Sequence, residues 1–508
     1  MKVLLTTLNS KYVHSSLALR CLYSAAAENL QDHDIKMDIK EFTINNDDDF
    51  ILNELIYFDY DVICFSVNIW NVDRIISLTE VLKQALPEVK LLAGGPEVSD
   101  DSLTFIKENR QFDFLVAGEG EYAFTALCSH GFSGQGLAGI QGLIYRDRAD
   151  GKIYVNPPGE LLKMESLPFP YRYMPWDKDK TLYYESSRGC PFNCSYCMSS
   201  IEKSIRALPP DRVKEDLDHL IKGKAEQVKF IDRTFNWDKD RCREIWQHII
   251  DNDNGITNWH FEICGELLDQ PLIDLLNSAR KGLFQIEIGI QSTNPKTLAA
   301  VNRSIDIELV LENVKKVVSG GNTHVHVDLI AGLPFEGYSS FKDSFNNVFA
   351  LKADHMQLGF LKLLKGTALR ENADKYGYIY RNRAPYHIIC NDFLSARDII
   401  RLKQIENVLN LFSNRGGFEN TVEYLAGLNA TSFDFFEEIA LFYYLKGYQQ
   451  KSHKKEDLYR ILRQYAYWKD RSHEGAFDKA TDLLYKDMEN TLNPDAIKKF
   501  NKKGWKIE

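Results

Sequence analysis

Three cysteines lie within eight residues of one another in the stretch SRGCPFNCSYCMSS, at Cys190, Cys194 and Cys197. A structural zinc site usually needs four ligands, and no fourth cysteine or histidine follows at the usual spacing. An iron-sulfur cubane is bound by cysteine thiolates, and three of them leave one iron open to a substrate. Gly189 and Pro191 suit the tight loop that wraps three corners of one cube. The triplet therefore predicts a 4Fe-4S cluster with one open iron rather than three separate buried thiols.

Polar and apolar residues alternate in three later segments, THVHVDLI (323–330), NWHFEIC (258–264) and FQIEIGIQ (284–291). In a barrel strand, alternate side chains point into the lumen or out toward the surrounding helices. The apolar sets must pack beneath helices, so the polar sets are expected to face the lumen. We expect a polar cavity with Glu287 and Asp328 among its lining residues.

Strands and helices are predicted to alternate through the first 130 residues. Short apolar runs at 3–8, 61–67, 89–95 and 113–120 are separated by amphipathic helical patterns, which predicts a doubly wound, Rossmann-like parallel sheet. A ligand of such a sheet binds at the carboxyl ends of the strands. The candidate ligand-binding residues at those ends are Ser66, Asn68, Trp70, Gly94, Gly95, Pro96, Gly118, Glu119, Gly120 and Glu121. The two glutamates have an alternative role as favourable charges at a helix N-terminus.

A second alternation of strands and helices follows a proline-rich stretch. Strand candidates end near Cys190, Asp232, Cys264, Gln291, Leu333 and Lys365. These six units predict a partial (β/α)6 barrel with its chemistry at the carboxyl-terminal rim. Strand patterns then disappear, and the rest of the chain is predicted to be helical. The predicted organisation is a Rossmann-like domain (1–140), a hairpin and linker (141–178), the barrel (179–391) and an all-α domain (392–508).

Composition narrows the class of protein. Hydrophobic residues make up 44% and charged residues 26% of the 508 residues, as in a soluble globular protein. No signal peptide or membrane span is visible, so we expect a cytoplasmic protein whose nine cysteines are thiols or metal ligands. The net charge of −10 is concentrated in the first 150 residues, and no basic surface for nucleic acid is evident. An RNA substrate for the near-neutral remainder is not excluded.

The segment CPFNCSYC resembles the cluster motif of the radical S-adenosylmethionine (SAM) superfamily. VKFIDRTFN, FQIEIGIQSTNPKTL and VDLIAGLPFE resemble the second, fourth and fifth barrel strands of that superfamily. DVICFSVNIWN, AGGPEVS and VAGEGE resemble the cobalamin-binding domain that is joined to one branch of these enzymes. Over nearly its whole length, the chain is similar to the cobalamin-binding radical SAM subgroup with a helical C-terminal domain of unassigned function.

The resemblance implies roles for individual residues. The open iron binds the amino and carboxylate groups of SAM, Tyr196 contacts adenine, and Glu287, Gln291 and Ser292 hold the ribose and methionine parts. The ten residues at the first sheet's strand ends are implied to bind cobalamin, and Asp232 and Asp328 are the candidate catalytic residues. The loop after the first strand keeps His14 but lacks the family's Asp-x-His-x-x-Gly pattern. We therefore expect no protein nitrogen beneath cobalt, and expect Asn68 or Trp70 to cover that face.

The resemblance also implies a reaction. The reduced cluster would cleave SAM to a 5′-deoxyadenosyl radical, and methylcobalamin would deliver a methyl group to an unactivated carbon. The favoured function is C-methylation of an unidentified small molecule, peptide or RNA, with flavodoxin or ferredoxin as electron donor and no membrane partner. Two alternatives remain open: a cobalamin radical SAM enzyme that rearranges or reduces its substrate, and a cobalamin-holding sensor or carrier without catalysis. A methylthiotransferase is disfavoured, because Cys21, Cys64 and Cys128 do not resemble the second cluster site of those enzymes.

Overall fold

The computed structural model describes residues 1–148 and 150–505. Strands and helices alternate through its N-terminal part: β1 (Lys2–Asn9), α1 (Leu17–Asn29), β2 (Lys36–Thr43), α2 (Asp48–Ile56), β3 (Val62–Ser66), α3 (Val72–Ala85), β4 (Lys90–Gly94), α4 (Pro96–Ser99), α5 (Ser102–Glu108), β5 (Phe114–Val116), α6 (Glu121–Ser129), β6 (Leu143–Arg146) and β7 (Ile153–Val155). They form one sheet in the order β2-β1-β3-β4-β5-β6-β7. The first five strands are parallel, as predicted.

Helices cover both faces of this sheet. Alternate residues of each strand enter different cores: Leu4 and Ile63 belong to one hydrophobic cluster, and Leu5 and Val62 belong to the other. The predicted doubly wound, Rossmann-like fold is confirmed. The sequence pattern missed β2, whose position at the edge of the sheet leaves alternate residues exposed. The predicted hairpin forms from β6 and β7, but β6 pairs with β5, so the hairpin extends the first sheet.

The central part of the chain is a partial barrel of six parallel strands. Its elements are β8 (Leu182–Tyr184), β9 (Ser187–Arg188), β10 (Arg206–Ala207), α7 (Pro210–Lys222), β11 (Gln227–Phe230), α8 (Lys239–Asp251), β12 (Asn258–Ile263), α9 (Gln270–Ser278), β13 (Phe284–Gln291), α10 (Pro295–Ala300), α11 (Ile307–Gly320), β14 (His324–Ala331), α12 (Tyr338–Phe349) and β15 (His355–Phe360). The strand order is β8-β11-β12-β13-β14-β15, and β9 and β10 form a separate two-residue ladder. Ile286, Ile288 and Ile290 are fully buried, whereas their neighbours on β13 are partly exposed. The predicted two-faced strand is therefore present.

The last part of the chain is helical after a short connecting segment. Its elements are α13 (Ala368–Glu371), β16 (Ile379–Tyr380), β17 (Ile388–Cys390), α14 (Ala396–Leu409), α15 (Glu419–Gly427), α16 (Ser432–Leu445), α17 (Lys455–Lys469), α18 (Ala476–Thr491) and α19 (Pro494–Lys503). A capping box of Ser395 and Asp398 begins α14. A single hydrophobic cluster runs from the barrel into these helices. Within residues 1–148 and 150–505, no helix is long and apolar enough to cross a membrane.

Candidate functional site

The three clustered cysteines lie on a loop, residues 189–205, that leaves the barrel after β9 and returns at β10. Cys190, Cys194 and Cys197 all line one cavity of about 190 Å³, and all three are free thiols. Gly189 begins the loop with a φ of +91°, a conformation that favours glycine. No three His, Cys, Asp or Glu side chains of the described chain converge to hold a single metal ion.

Two side chains that the sequence pattern did not identify contact the cysteine sulfurs. Thr234 Oγ1 lies 3.5 Å from Cys190 Sγ, and Arg303 Nη1 lies 3.6 Å from Cys194 Sγ. Burial opposes the charge of Arg303, but the nearby Tyr196 and Cys194 raise its pKa, so the guanidinium stays protonated. A guanidinium and a hydroxyl beside the sulfurs can donate hydrogen bonds to the cysteine ligands of an iron-sulfur cluster. The residues present therefore fit a cluster held by three cysteines.

The barrel lumen continues this cavity with three carboxylates from three strands. Glu262, Glu287 and Asp328 line it. Lys229 Nζ lies 3.0 Å from Glu287 Oε2 and 3.3 Å from Glu262 Oε1, and His260 also pairs with Glu287. The polar face predicted for β12, β13 and β14 thus points inward near the cysteines. Lys229, on the alternating strand β11, was not identified from the sequence.

The lumen carboxylates differ in acidity, because Lys229 pairs directly with Glu287. Burial opposes ionisation of Glu287, but the nearby His260 and the pairing with Lys229 lower its pKa to about 2. Burial and the neighbouring Glu287 and Glu262 raise the pKa of Asp328 well above its usual value. Neighbouring carboxylates oppose each other's ionisation. Glu287 is therefore the stronger acid of the two, and Asp328 is the weaker one.

Tyr196 and Gln291, two of the residues assigned to SAM by resemblance, also line the cysteine cavity. The Oε1 atom of Gln291 is buried and accepts no hydrogen bond within the described chain. A buried amide oxygen without a donor is costly, and a ligand that brings a donor would satisfy it. The cavity therefore fits a polar ligand such as SAM beside the cysteines.

Two other predicted residues lie outside the cavity. Ser292 is fully buried, and its Oγ donates a hydrogen bond of 2.6 Å to Glu336, so its hydroxyl is already engaged within the chain. Asp232 is also fully buried and accepts hydrogen bonds from the backbone and hydroxyl of Ser186 and the hydroxyl of Ser187, at 2.6 to 2.9 Å. The catalytic role of Asp232 stays a prediction, and its carboxylate is already hydrogen-bonded within the chain. Its neighbour Arg233 is the residue that lines the cavity.

A larger cavity of about 610 Å³ lies between the first sheet and the cysteine loop. The strand-end loops of the sheet supply one wall, and Arg188, Gly189 and Met198 supply part of the other. Gly95 has a φ of +113°, and a Cβ there would lie 2.5 Å from the carbonyl oxygen of Val67. Only glycine allows the chain to turn at this wall. Nine predicted cobalamin-binding residues line the cavity: Ser66, Asn68, Gly94, Gly95, Pro96, Gly118, Glu119, Gly120 and Glu121.

Trp70, the tenth predicted residue, does not line this cavity. β3 ends at Ser66, and the chain then curls into α3 with Asn71 Oδ1 accepting a hydrogen bond from the backbone of Asn68. The expected alternation stops there, and Trp70 turns outward, 47% exposed, with its Nε1 donating to the carbonyl of Leu8. Of the two residues expected to cover the cobalt, Asn68 lines the cavity and Trp70 does not.

His14 is also engaged elsewhere. Its Nδ1 lies 2.6 Å from the hydroxyl of Tyr183, and no histidine is among the described residues that line the large cavity. The apolar side chains of that wall include Leu92 and Phe124, which suit the flat hydrocarbon surface of a corrin. The wall residues therefore fit cobalamin, and none of them offers an imidazole to the metal.

The two cavities adjoin. Ser199 and Arg233 line both of them, so a molecule placed at these residues borders the cysteine cavity on one side and the large cavity on the other.

Three family models match the chain. Residues 3–128 match the B12 binding domain, residues 184–348 match the radical SAM superfamily, and residues 374–506 match a protein family of unknown function, DUF4080. The chain therefore contains a B12 binding domain followed by a radical SAM domain. The cofactors of these domains are cobalamin, a 4Fe-4S cluster and SAM.

Relatives and solved structures agree with this assignment. An uncharacterised methyltransferase of Pyrococcus horikoshii, PH0819, is 27% identical over 327 residues, which are 62% of this chain and 70% of the relative. The cobalamin-dependent radical SAM methyltransferase TokK of Streptomyces tokunonensis is 25% identical over 352 residues, which are 62% of this chain and 49% of TokK. The chain therefore matches only about half the length of TokK. The structure of OxsB with aqua-cobalamin and SAM is similar in fold, with a TM-score of 0.63 at 13% identity over 97% of this chain and 84% of OxsB.

Proposed function

We propose that this protein is a radical SAM enzyme that transfers a methyl group to an unactivated carbon of its substrate. The observation that carries the proposal is the contact between the two cavities at Ser199 and Arg233. When bound, SAM with the cluster supplies a hydrogen-abstracting radical and cobalamin supplies the methyl group. A substrate held at the junction would face both, because proximity and orientation lower the barrier of such a reaction.

We assign complementary roles to the lumen residues. Glu287, held as an anion by Lys229, and Gln291, with its unpaired oxygen, would bind the hydroxyl and amino donors of SAM. Asp328, which lines the cavity with Glu287, would position substrate or SAM through its carboxyl group. Arg233 is exposed at the junction, so it would orient the substrate. The buried Arg303 would donate a hydrogen bond to the sulfur of Cys194.

The experiment follows the methyl group without requiring the substrate. Reconstituted protein with cobalamin, cluster and a chemical reductant would be incubated with SAM that carries a deuterated methyl group. We expect the labelled methyl group on cobalamin and one equivalent of S-adenosylhomocysteine, both by mass spectrometry. Protein without cobalamin is the control and is expected to form no S-adenosylhomocysteine.

The other outcomes identify the alternative functions. Formation of 5′-deoxyadenosine without labelled cobalamin would contradict methyl transfer and favour a rearrangement or a reduction. Absence of both products from protein with full iron and cobalamin content would favour a cobalamin sensor or carrier.

The proposed enzyme needs a one-electron donor, and we propose a flavodoxin or ferredoxin. We also propose the cytoplasm as its location, since a thiolate cluster and nine free cysteines need a reducing compartment. Reduction of the cluster by purified flavodoxin, followed by electron paramagnetic resonance, tests the donor. A cluster that remains oxidised with both donor proteins would contradict this part of the proposal.

A further inference from the structure

The loop that carries the three cysteines is closed at a narrow neck. Arg188 of β9 and Arg206 of β10 are direct partners in their antiparallel ladder, so the 17 residues between them leave and return at one point. The neck is tight at its first residue: a Cβ on Gly189 would lie 2.1 Å from the carbonyl oxygen of Ser204. The position of the two arginines therefore sets the position of the whole loop.

A single carboxylate from the other domain holds both arginines. Glu119 Oε1 accepts hydrogen bonds from Arg188 Nη1 at 2.9 Å and from Arg206 Nη2 at 2.7 Å. Glu119 Oε2 accepts from Arg206 Nη1 at 3.0 Å and from the backbone N–H of Leu162 at 2.8 Å. Burial opposes its ionisation, but these partners lower the pKa of Glu119. Glu121 adds a second contact of 2.6 Å to Arg188.

The same carboxylate belongs to the wall of the cobalamin cavity. Glu119 lies in the turn between β5 and α6, and Gly118, Glu119 and Gly120 of this turn line that cavity. Gly118 has a φ of +81°, a conformation that favours glycine. The turn packs closely against α1, because a Cβ on Gly120 would lie 3.1 Å from the side chain of Leu22. A shift of this turn moves the carboxylate, and a shift of the carboxylate moves the neck of the cysteine loop.

We propose that Glu119 is a positioning residue that couples cobalamin binding to the stability of the iron-sulfur cluster. The inference rests on the cofactors of the proposed function but requires no catalytic turnover. A corrin that packs against the turn fixes Glu119, which fixes Arg188 and Arg206 and so restrains the loop that holds the cluster. Because coupling between two sites is reciprocal, the cluster also strengthens cobalamin binding by the same factor.

The wild-type protein provides the first test. Reconstituted protein with and without hydroxocobalamin would be treated with EDTA under anaerobic conditions, and the bound iron counted by plasma mass spectrometry after rapid desalting. We expect cobalamin to slow the loss of iron about fivefold or more, a factor typical of coupled sites. Equal rates with and without hydroxocobalamin would overturn the proposal.

A matched pair of variants provides the second test. Glu119→Gln removes the charge that bridges the domains, whereas Glu202→Gln removes a carboxylate that also pairs with Arg206 and lines the same cavity but lies within the loop itself. We expect the effect of hydroxocobalamin on iron loss to disappear in Glu119→Gln and to remain in Glu202→Gln. A merely structural role would speed the loss of iron equally with and without cobalamin, so a wild-type ratio in Glu119→Gln would overturn the proposal.

The coupling can still be measured if the variant does not fold or if the proposed function fails. If Glu119→Gln fails to fold, the wild-type comparison alone decides, since it needs no variant. If no labelled methyl group reaches cobalamin, the proposed function fails, but the ratio of iron-loss rates still reports the coupling.

Discussion

The barrel meets its two neighbours through different main contacts. Toward the helical C-terminal part, aromatic rings interlock: Phe345 of α12 lies 5.3 Å from Phe433 and 5.7 Å from Phe436 of α16, between ring centroids, and ion pairs such as Lys342 with Asp434 are also present. Toward the cobalamin-binding domain, ion pairs such as Arg188 with Glu119 lie beside a cavity of about 610 Å³.

The two interfaces of the barrel are therefore expected to serve different ends, one the stability of the fold and the other the chemistry at the cavities. Burial of apolar surface is the main favourable contribution to folding and has no directional demand, so the aromatic interface holds the molecule together. Buried ion pairs contribute little net stability because desolvation offsets their attraction, yet they fix positions. A second carboxylate makes similar contacts. Glu97, next to Pro96 of the large cavity, contacts both Tyr386 and Lys365. We therefore expect the charged contacts to position the cofactors and the aromatic contacts to stabilise the fold.

Loss of the three cysteines is the largest change expected on the charged side. The triple variant of Cys190, Cys194 and Cys197 to Ala is expected to retain no iron and to lose the absorption near ~400 nm, because each thiolate holds one corner of the cluster. Metal analysis and absorption spectra measure this, and Cys390→Ala, outside the loop, is the control. Iron retained by the triple variant would contradict the cluster assignment.

On the apolar side, Phe345→Ala is expected to lower the free energy of unfolding by about 3 to 5 kcal/mol, since it leaves a cavity among buried rings. Leu445→Ala on α16, where the side chain is 77% exposed, is the control and should change stability by less than about 0.5 kcal/mol. Urea denaturation measures both. Iron and cobalamin content should be unchanged. A cost below about 1 kcal/mol would contradict the stabilising role of this interface.

Glu287 tests whether ion pairs also hold the polar residues of the barrel lumen in place. Its pKa is about 2 in the folded chain, below the value of 4.5 without its partners. The stabilisation is therefore present above about pH 5 and is lost as the pH falls toward 2. Glu287→Gln is expected to cost up to about 3 kcal/mol in metal-free protein at pH 7, with the difference shrinking below pH 4.5. A difference that is constant or that grows on acidification would contradict the ion pair with Lys229.

The smallest expected effect concerns His14. Because its ring contacts Tyr183 and no described residue of the large cavity is a histidine, His14→Ala should leave the electron paramagnetic resonance spectrum of bound cob(II)alamin unchanged. A three-line nitrogen splitting that is present in the wild type and lost in the variant would show that His14 binds cobalt.

The features that were predictable from sequence are those encoded by neighbours in the chain. The spacing of the cysteines identifies their loop, and strict alternation along β13 shows that Glu287 faces the lumen. Glycines at Gly95 and Gly118 mark the turns of the cobalamin wall. In each case the physical constraint acts within a few residues, so a single segment contains the signal.

The contacts that could not be foreseen from the sequence involve partners far away in the chain. Ser292 and Asp232 have the right position at a strand end, but their partners Glu336 and Ser186 lie 44 and 46 residues away. Arg303 reaches Cys194 across 109 residues. Alternation shows which way a side chain points and not what it meets there, so such contacts emerge only from the packed structure.

The central claim, that the cluster and cobalamin share one reaction chamber, can be tested most directly by pulsed electron paramagnetic resonance. Protein that contains both the reduced cluster and cob(II)alamin would be compared with protein that contains each alone. The adjoining cavities predict dipolar broadening and faster spin relaxation when both are present. A spectrum equal to the sum of the two separate spectra would place the cofactors far apart and contradict the account.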